Sequence, residues 1–236
     1  MPYDLQKEED VKEYLKNLGI EYRFECFKEK KPDGCHRLAD YLESITKDFS
    51  KALDVYKTNC DDNKYAKSCF KYGNYKLLGK GKCFRRGTED KPEAFKYYRK
   101  GCDAGCAQSC FAVGLMLTTT DVLPGIAKDN QLGMEFLDRA CAMGNADGCY
   151  FASGQLIAGD HPGVPRDMTK AFRYTERACE LGNMYACSNL SLMYSKGEGV
   201  TKDEGKAQTY RQKVLDHRES VQKRQRTLEM EQGIVA

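Results

Sequence analysis

Ten of the twelve cysteines form five pairs at nearly constant spacing. The members of a pair are eight or nine positions apart: Cys26 and Cys35, Cys60 and Cys69, Cys102 and Cys110, Cys141 and Cys149, Cys179 and Cys187. In the last three pairs a glycine follows the first cysteine by three positions, and helix-forming sequence lies on both sides. A left-handed glycine commonly ends a helix. Each pair is therefore expected to form a disulfide between the end of one helix and the start of the next.

The first two pairs differ at the turn. Asn63 takes the place of the glycine after Cys60, and asparagine is the next best residue for the left-handed conformation. Between Cys26 and Cys35 the turn is expected at Pro32-Asp33-Gly34.

The pairs recur with the period of a helical repeat. Their first cysteines are separated by 34, 42, 39 and 38 residues, which is typical of a solenoid built from two-helix units. Small residues also recur, four positions after each second cysteine and eight before each following first cysteine. We expect these to allow close helix contacts; they are Ala39, Gly73, Gly114, Ser153 and Ser191, and Ala52, Ala94, Gly133 and Ala171. The pattern predicts an all-α array of about five disulfide-stapled helix pairs.

The two ends of the chain depart from the repeat. Residues 4–19 are expected to form a short amphipathic helix that ends at Gly19. Leu215 stands where a sixth first cysteine would fall, as expected at the end of an array. The sequence therefore predicts a capping segment at 1–25, a repeat array at 26–215 and a charged helical extension and tail at 216–236.

Charge and hydropathy restrict the class of partner. The 38 basic and 35 acidic residues nearly balance, which argues against a nucleic-acid or lipid partner. No apolar run is long enough for a membrane span. A monomeric, protein-binding array is expected.

Cysteine content and the N-terminus together bear on location. Twelve cysteines, ten of them in pairs, favour an oxidising compartment, with free reduced thiols as the alternative. The first sixteen residues are acidic and lack the apolar core of a secretory signal. Either a signal has been removed, or the protein enters an oxidising space without one. The mitochondrial intermembrane space, where oxidative import machinery traps incoming chains, is the expected location.

Cys83 and Cys106 lie outside the five pairs and are expected to be free thiols. Cys102, Cys106 and Cys110 could together hold a metal or exchange a disulfide. A structural disulfide with a spare thiol is favoured, because the first and last already belong to a repeat pair. No C-x-x-C motif is present.

Other chemistry has little support. His36, His161 and His217 have no metal-ligand spacing, and His36 is expected on a helix surface. No metal or other cofactor is expected, with haem held by a histidine as the alternative. Ser-x-x-Lys occurs at Ser44 and at Ser68, but the companion motifs of penicillin-recognising enzymes are missing.

Three stretches resemble Sel1-like repeats, which are related to tetratricopeptide repeats. They are 72–81 (YGNYKLLGKG), 163–171 (GVPRDMTKA) and 192–203 (LMYSKGEGVTKD). In that family a Gly-x-Gly-Val turn is followed by an acidic residue and a Lys-Ala pair at the start of a helix. The resemblance covers roughly residues 35–215 and implies a right-handed α/α solenoid, but it says little about function.

Cysteine-rich Sel1 proteins include two groups of interest. Some are secreted bacterial proteins that bind or slowly hydrolyse penicillins. Others are respiratory-chain assembly factors of the intermembrane space, and this chain is similar to them in the stretches 8–12, 31–35, 37–43, 68–73 and 194–206. That resemblance implies a non-enzymatic factor for assembly of cytochrome c oxidase, with assembly proteins or client subunits as partners. The alternative is a thiol-disulfide, haem or metal-handling factor that acts on copper chaperones.

Overall fold

The computed structural model describes residues 3–79, 89–119 and 123–231, and this part of the chain is mostly helical. Cys83 lies outside the described residues. The helices are α1 (Glu8–Phe27), α2 (Pro32–Ser44), α3 (Phe49–Asn63), α4 (Ala66–Leu77), α5 (Lys91–Asp103), α6 (Ala107–Thr118), α7 (Asn130–Ala142), α8 (Ala146–Ala158), α9 (Met168–Glu180), α10 (Met184–Lys196) and α11 (Glu204–Glu231). Two short antiparallel strands, β1 (Asp160–His161) and β2 (Val164–Pro165), lie between α8 and α9.

The helices form two compact units, Met1–Lys128 and Asp129–Ala236. In the first unit each of α1 to α5 packs against the helix that follows it, and in the second unit each of α7 to α10 does the same. Packing of each helix on its sequence neighbour is the arrangement of a helical repeat array. The predicted all-α solenoid class is confirmed.

An aspartate immediately precedes each odd-numbered helix from α3 onwards. The side chains of Asp48, Asp90, Asp129, Asp167 and Asp203 each accept a hydrogen bond from the backbone amide three residues later. Such a cap satisfies an amide that has no partner within the helix, and its loss costs about 1 kcal/mol. A fixed capping residue explains why the first helix of each repeat begins at a regular position.

The turns within the pairs follow the prediction where glycine is present. Gly105, Gly144 and Gly182 have φ values of 91°, 83° and 94°. Asn63, in contrast, is the last residue of α3, where its side chain donates to Asn59 Oδ1 at 2.9 Å. Lys64 adopts the left-handed conformation instead, with φ of 53°.

The turn expected at Pro32-Asp33-Gly34 is also wrong. Pro32 is the first residue of α2, where its fixed φ suits a helix and its missing N–H has no cost. The left-handed residue of this connection is Lys30. Gly34 lies inside α2, where an added Cβ would be 2.5 Å from Cβ of Glu25, so glycine here permits close approach of α1.

Helix α1 does not end at Gly19 as expected. It continues to Phe27 and carries Cys26 in its last turn. A Cβ on Gly19 would lie 2.6 Å from Cζ of the Tyr41 ring, so this glycine makes room for α2 instead of ending α1.

All of the recurring small residues are buried. At Gly73 on α4, an added Cβ would lie 2.6 Å from the Tyr98 ring of α5. Close helix approach is confirmed at Gly73, and the burial of the other positions agrees with it.

The charged C-terminal segment continues α11 without a break across residues 215 and 216. Its described side chains from Leu215 onwards are exposed, in agreement with a solvated terminal helix. The division at 25/26 likewise falls within α1, and the three-segment division stays a prediction. None of the described helices is both long enough and apolar enough to cross a bilayer.

Candidate functional site

Five disulfides join the last turn of an odd-numbered helix to the first turn of the next helix. The pairs are Cys26–Cys35, Cys60–Cys69, Cys102–Cys110, Cys141–Cys149 and Cys179–Cys187, with Cα–Cα distances of 4.3 to 4.8 Å. All ten side chains are buried, none more than 7% exposed. Because thiol–disulfide exchange requires access to a sulfur, burial favours a structural role for these bonds.

Cys106 is a free thiol at the N-cap of α6. Its side chain is 7% exposed, and its Sγ donates to Gln108 Oε1 at 3.4 Å. Neighbouring Cys102 and Cys110 are bonded to each other. The described residues contain no group of three or more histidine, cysteine or acidic side chains that could hold a metal.

His36 is buried, contrary to its expected place on a helix surface. Its ring lies between Tyr56 and Tyr65, with centroids 5.6 and 5.3 Å away. Nδ1 is 3.0 Å from Ser68 Oγ, and Nε2 is 3.6 Å from Asp40 Oδ2. The face of α2 that carries His36 is covered by α3 and α4, which the sequence of α2 alone does not reveal. His161 and His217 lie in the second unit, on β1 and α11.

Burial lowers the pKa of His36 below its ordinary value of 6.5. The positive charges of Lys71 and Lys67 act in the same direction, while Asp40 and Asp33 oppose the shift. Because the unfolded chain binds this proton more readily, protonation favours unfolding. The contribution of His36 to stability is therefore complete above pH 6.5 and is lost as the pH falls towards the lower folded-state pKa.

His36→Gln should reduce the loss of stability between about pH 7 and about pH 5, because the variant lacks the group that titrates there. Urea unfolding across this range measures the slope of stability against pH. His217→Gln, on the exposed part of α11, is the matched control and should leave the slope unchanged. If His36→Gln has the same slope of stability against pH as the wild type, the burial of a neutral His36 is contradicted.

A polar cluster lies beside His36, where α2, α3 and α4 meet. The Tyr56 hydroxyl donates to Asp40 and is 3.0 Å from Glu43 Oε2. Lys71 Nζ donates to Glu43 Oε2 at 3.0 Å and is 3.5 Å from Asp40 Oδ1. Sequence reasoning missed this cluster, although the spacing of Asp40 and Glu43 places both on one face of α2.

The cluster has a definite charge state at neutral pH. Burial raises the pKa of Tyr56, as do its hydrogen bond to Asp40 and the nearby carboxylates, so the phenol keeps its proton. Burial opposes the charge of Lys71, but its bond to Glu43 and the two carboxylates outweigh this effect and raise its pKa. Two carboxylates thus face one ammonium. The Asp40 side chain is 43% exposed and can accept a further hydrogen bond from a donor in solution or on a partner.

The Ser68-x-x-Lys71 match does not form a nucleophile and base. Ser68 is fully buried, and its Oγ contacts His36 and accepts from Asn59 Nδ2 at 2.8 Å. Lys71 points to the carboxylates of α2 instead. This arrangement gives no support to penicillin chemistry at Ser68.

Acidic residues accept hydrogen bonds from tyrosines that stand at corresponding positions of the following repeat, five before its first cysteine. Tyr97 donates to Asp61 at 2.8 Å, and Tyr174 donates to Asp138 at 2.6 Å. Lys100 adds an ion pair to Asp61, and the pKa of that carboxyl is lowered, since these bonds and nearby ammonium groups outweigh its burial. Directional bonds between neighbouring repeats restrict how the helix pairs can slide past each other.

Comparison with known proteins agrees with this repeat architecture. The Sel1 repeat family model matches residues 32–54, 66–106, 107–145, 146–183 and 185–213. A crystal structure of a Sel1 repeat protein from Oxalobacter formigenes superposes with a TM-score of 0.68 at 22% identity, covering 87% of this chain and 82% of the other. A protective antigen of uropathogenic Escherichia coli also gives 0.68 at 19% identity, covering 83% and 40%. These two likenesses establish the fold alone.

Sequence relatives are similar over nearly the whole length. Cytochrome c oxidase assembly factor 7 homolog of Drosophila melanogaster is 43% identical, covering 99% of this chain and 98% of the relative. Cytochrome c oxidase assembly factor 7 is 40% identical in Xenopus tropicalis, covering 90% and 91%, and 38% identical in Homo sapiens, covering 93% and 94%. The chain therefore belongs to the Sel1 repeat proteins and, among them, to the cytochrome c oxidase assembly factor 7 family.

Proposed function

We propose that this protein supports assembly of cytochrome c oxidase as a non-enzymatic, monomeric protein-binding scaffold. The observation that carries the proposal is the 43% sequence identity, over 99% of the chain, with a relative named as an assembly factor for that enzyme. Helical repeat arrays bind partners through the surfaces that their stacked helices expose. The partners are respiratory-chain assembly proteins or subunits awaiting incorporation.

The proposed location is the mitochondrial intermembrane space. Five buried disulfides support this location, because such bonds persist in oxidising compartments and are rare where thioredoxin and glutathione keep thiols reduced. Oxidative import machinery would form them during folding.

Depletion of the protein should lower the level of assembled cytochrome c oxidase, and re-expression should restore it. Native gel electrophoresis and oxygen consumption measure this effect, with the other respiratory complexes as internal controls. Alkylation of thiols before lysis reports the compartment, since ten oxidised cysteines are expected. Normal oxidase levels after depletion would overturn the assembly role, and fully reduced cysteines would overturn the location.

A thiol-disulfide function would need the two cysteines outside the five sequence pairs, Cys83 and Cys106. Since the Cys106 side chain is buried against Gln108, we expect a variant with Cys83→Ser and Cys106→Ser to restore oxidase assembly as well as the wild type does. Each single variant is the matched control. Loss of rescue by the double variant, at normal protein level, would favour thiol exchange or metal handling towards copper chaperones.

A further inference from the structure

Helix α1 exposes three large apolar side chains on one face. Ile20 is 56% exposed, Phe24 is 56% exposed and Phe27 is 63% exposed. Their spacing of four and three residues places them side by side along the helix. We call these three residues the apolar stripe. Exposed apolar groups in a contiguous row commonly mark an interaction site.

The corresponding positions of the other repeats are polar except for one alanine, Ala142. Ile20, Phe24 and Phe27 stand six before, two before and one after the first cysteine of their pair. At these offsets the later repeats have Asp54, Thr58 and Asp61; Lys96, Lys100 and Asp103; Glu135, Arg139 and Ala142; and Arg173, Arg177 and Glu180. These residues are exposed or half-buried. The repeat architecture thus turns this face outward, and α1 alone covers it with large apolar groups.

A cavity adjoins the stripe at its C-terminal end. It has a volume of about 170 Å³ and is lined by Phe27, Asp54, Val55 and Thr58, with the Cys26–Cys35 disulfide at its wall. A cavity of this size can hold one medium-sized apolar side chain. The stripe therefore has a place for an anchoring residue as well as an open apolar face.

Towards its N-terminus the same face of α1 carries two glutamates, with exposed Lys16 between them and Ile20. Glu9 and Glu13 are three and two turns before Ile20, within about 20° of its direction around the helix. Both are exposed, and neither forms an ion pair within the described residues. From Glu9 to Phe27 this face is about 27 Å long, so a binding helix of about 18 residues would cover it.

Charge complementarity restricts the occupant. A second copy that packed antiparallel on α1 would place carboxylates against phenylalanines, and a parallel copy would oppose glutamates of like charge. An anionic membrane surface would repel the acidic end. A helix with basic residues at one end and an apolar face at the other satisfies both parts of the surface.

We propose that the apolar stripe, together with Glu9 and Glu13, docks an amphipathic helix of a partner protein, with its basic end against the glutamates and its apolar face on Ile20, Phe24 and Phe27. The inference deepens the proposed scaffold function and rests on it for its biological meaning. Docking of a helix into an apolar surface is a common mode of peptide recognition.

The test uses the full-length oxidised protein and designed helical peptides of about 20 residues, a length that spans the face. Each peptide has leucines at helical spacing in one half and two lysines on the same face in the other half. Two versions are made, one with the lysines in the N-terminal half and one with the lysines in the C-terminal half. Fluorescence anisotropy should show saturable binding. The lysine peptide should bind more tightly than its lysine-to-glutamate counterpart, and added salt should reduce the difference.

Variants assign the binding to the two parts of the surface. Ile20→Asp, Phe24→Thr and Phe27→Asp together copy the residues of α3 onto α1 and should weaken binding by about tenfold, since buried aromatic anchors dominate such contacts. Glu9→Gln with Glu13→Gln should weaken binding of the lysine peptide by about threefold. Binding of the glutamate peptide should be unchanged or tighter. Leu192→Thr, at another exposed apolar residue, is the matched control and should bind as the wild type does.

Circular dichroism and thermal unfolding verify that the variants fold. Equal peptide binding by the wild type and the triple variant would overturn the inference. So would stripe-dependent sedimentation with neutral or anionic phospholipid vesicles, or stripe-dependent dimers in analytical ultracentrifugation, in the absence of peptide binding. Because the peptide assay does not involve the oxidase, normal oxidase levels after depletion would overturn the assembly role alone. Full rescue of assembly by the triple variant would instead overturn the use of the stripe in that role.

Discussion

Gly199→Ala is expected to destabilise the protein by about 3 kcal/mol or more. Gly199 has φ of 72°, and a Cβ there would lie 2.0 Å from the backbone carbonyl oxygen of Met168 and 2.6 Å from its carbonyl carbon. Left-handed backbone alone costs a residue with a Cβ about 1–2 kcal/mol. Backbone atoms cannot rotate away from the new methyl group, so the start of α9 must shift. Thermal unfolding under oxidising conditions should show a fall in Tm of about 6–12 °C.

Gly182→Ala is the matched control for this variant. Gly182 also has positive φ, at 94°, but an added Cβ would meet no atom within 4 Å. Only the conformational cost of about 1–2 kcal/mol remains. Equal destabilisation by the two substitutions would contradict the close contact between the 197–200 turn and the start of α9.

The second large effect is expected from removal of one disulfide. Cys60→Ala with Cys69→Ala should cost about 2–3 kcal/mol, because the nine-residue separation is no longer closed in the unfolded chain. Both side chains are almost fully buried in the core of the first unit, which adds a small loss of packing. Guanidinium unfolding of the oxidised protein measures the change.

Cys106→Ala is the control for the disulfide variant, because it removes a buried cysteine that closes no loop. It should cost less than the double variant. If the two variants lose the same stability, packing and not the covalent link accounts for the effect, and the expected contribution of the disulfide is contradicted.

The sequence was sufficient for the repeat architecture because the local rules and the period agree. Gly144 and Gly182 have left-handed φ values and end helices, as glycine does wherever the chain needs this conformation. Ala52 and Ala171 recur at one register and are both fully buried, since only a small side chain permits close helix contact there. These features depend on residues within one helix pair, and a single repeat contains them.

Predictions failed where a residue has two roles that the local sequence cannot distinguish. Gly19 and Gly34 look like helix ends, yet both lie within helices. Glycine is needed at these positions because a side chain of the adjacent helix occupies the space that a Cβ would fill. His36 has the local pattern of a surface residue, but Tyr56 and Tyr65 enclose it. Its environment depends on residues 20 to 29 positions away, whose placement follows from helix packing.

The candidate binding surfaces show the same division. The sequence shows the polar residues that stand at the three offsets in the later repeats, and it shows the apolar residues of α1 at the same offsets. The sequence could not show whether Ile20, Phe24 and Phe27 are core or surface residues, because an amphipathic helix has apolar residues on its buried face as well. Packing of α1 on α2 through Gly19 and Gly34 decided it.

By itself, the sequence determined the helix pairs, their number and the positions of their small residues, because cysteine spacing, glycine turns and the repeat period all act over short distances along the chain. Only the tertiary structure decided which faces of the helices are covered. Helix packing brought His36, Asp40 and Lys71 together and left the apolar stripe exposed. The physical reason is that burial belongs to contacts between helices, and in a repeat array the helix that covers a given face comes from a different part of the sequence.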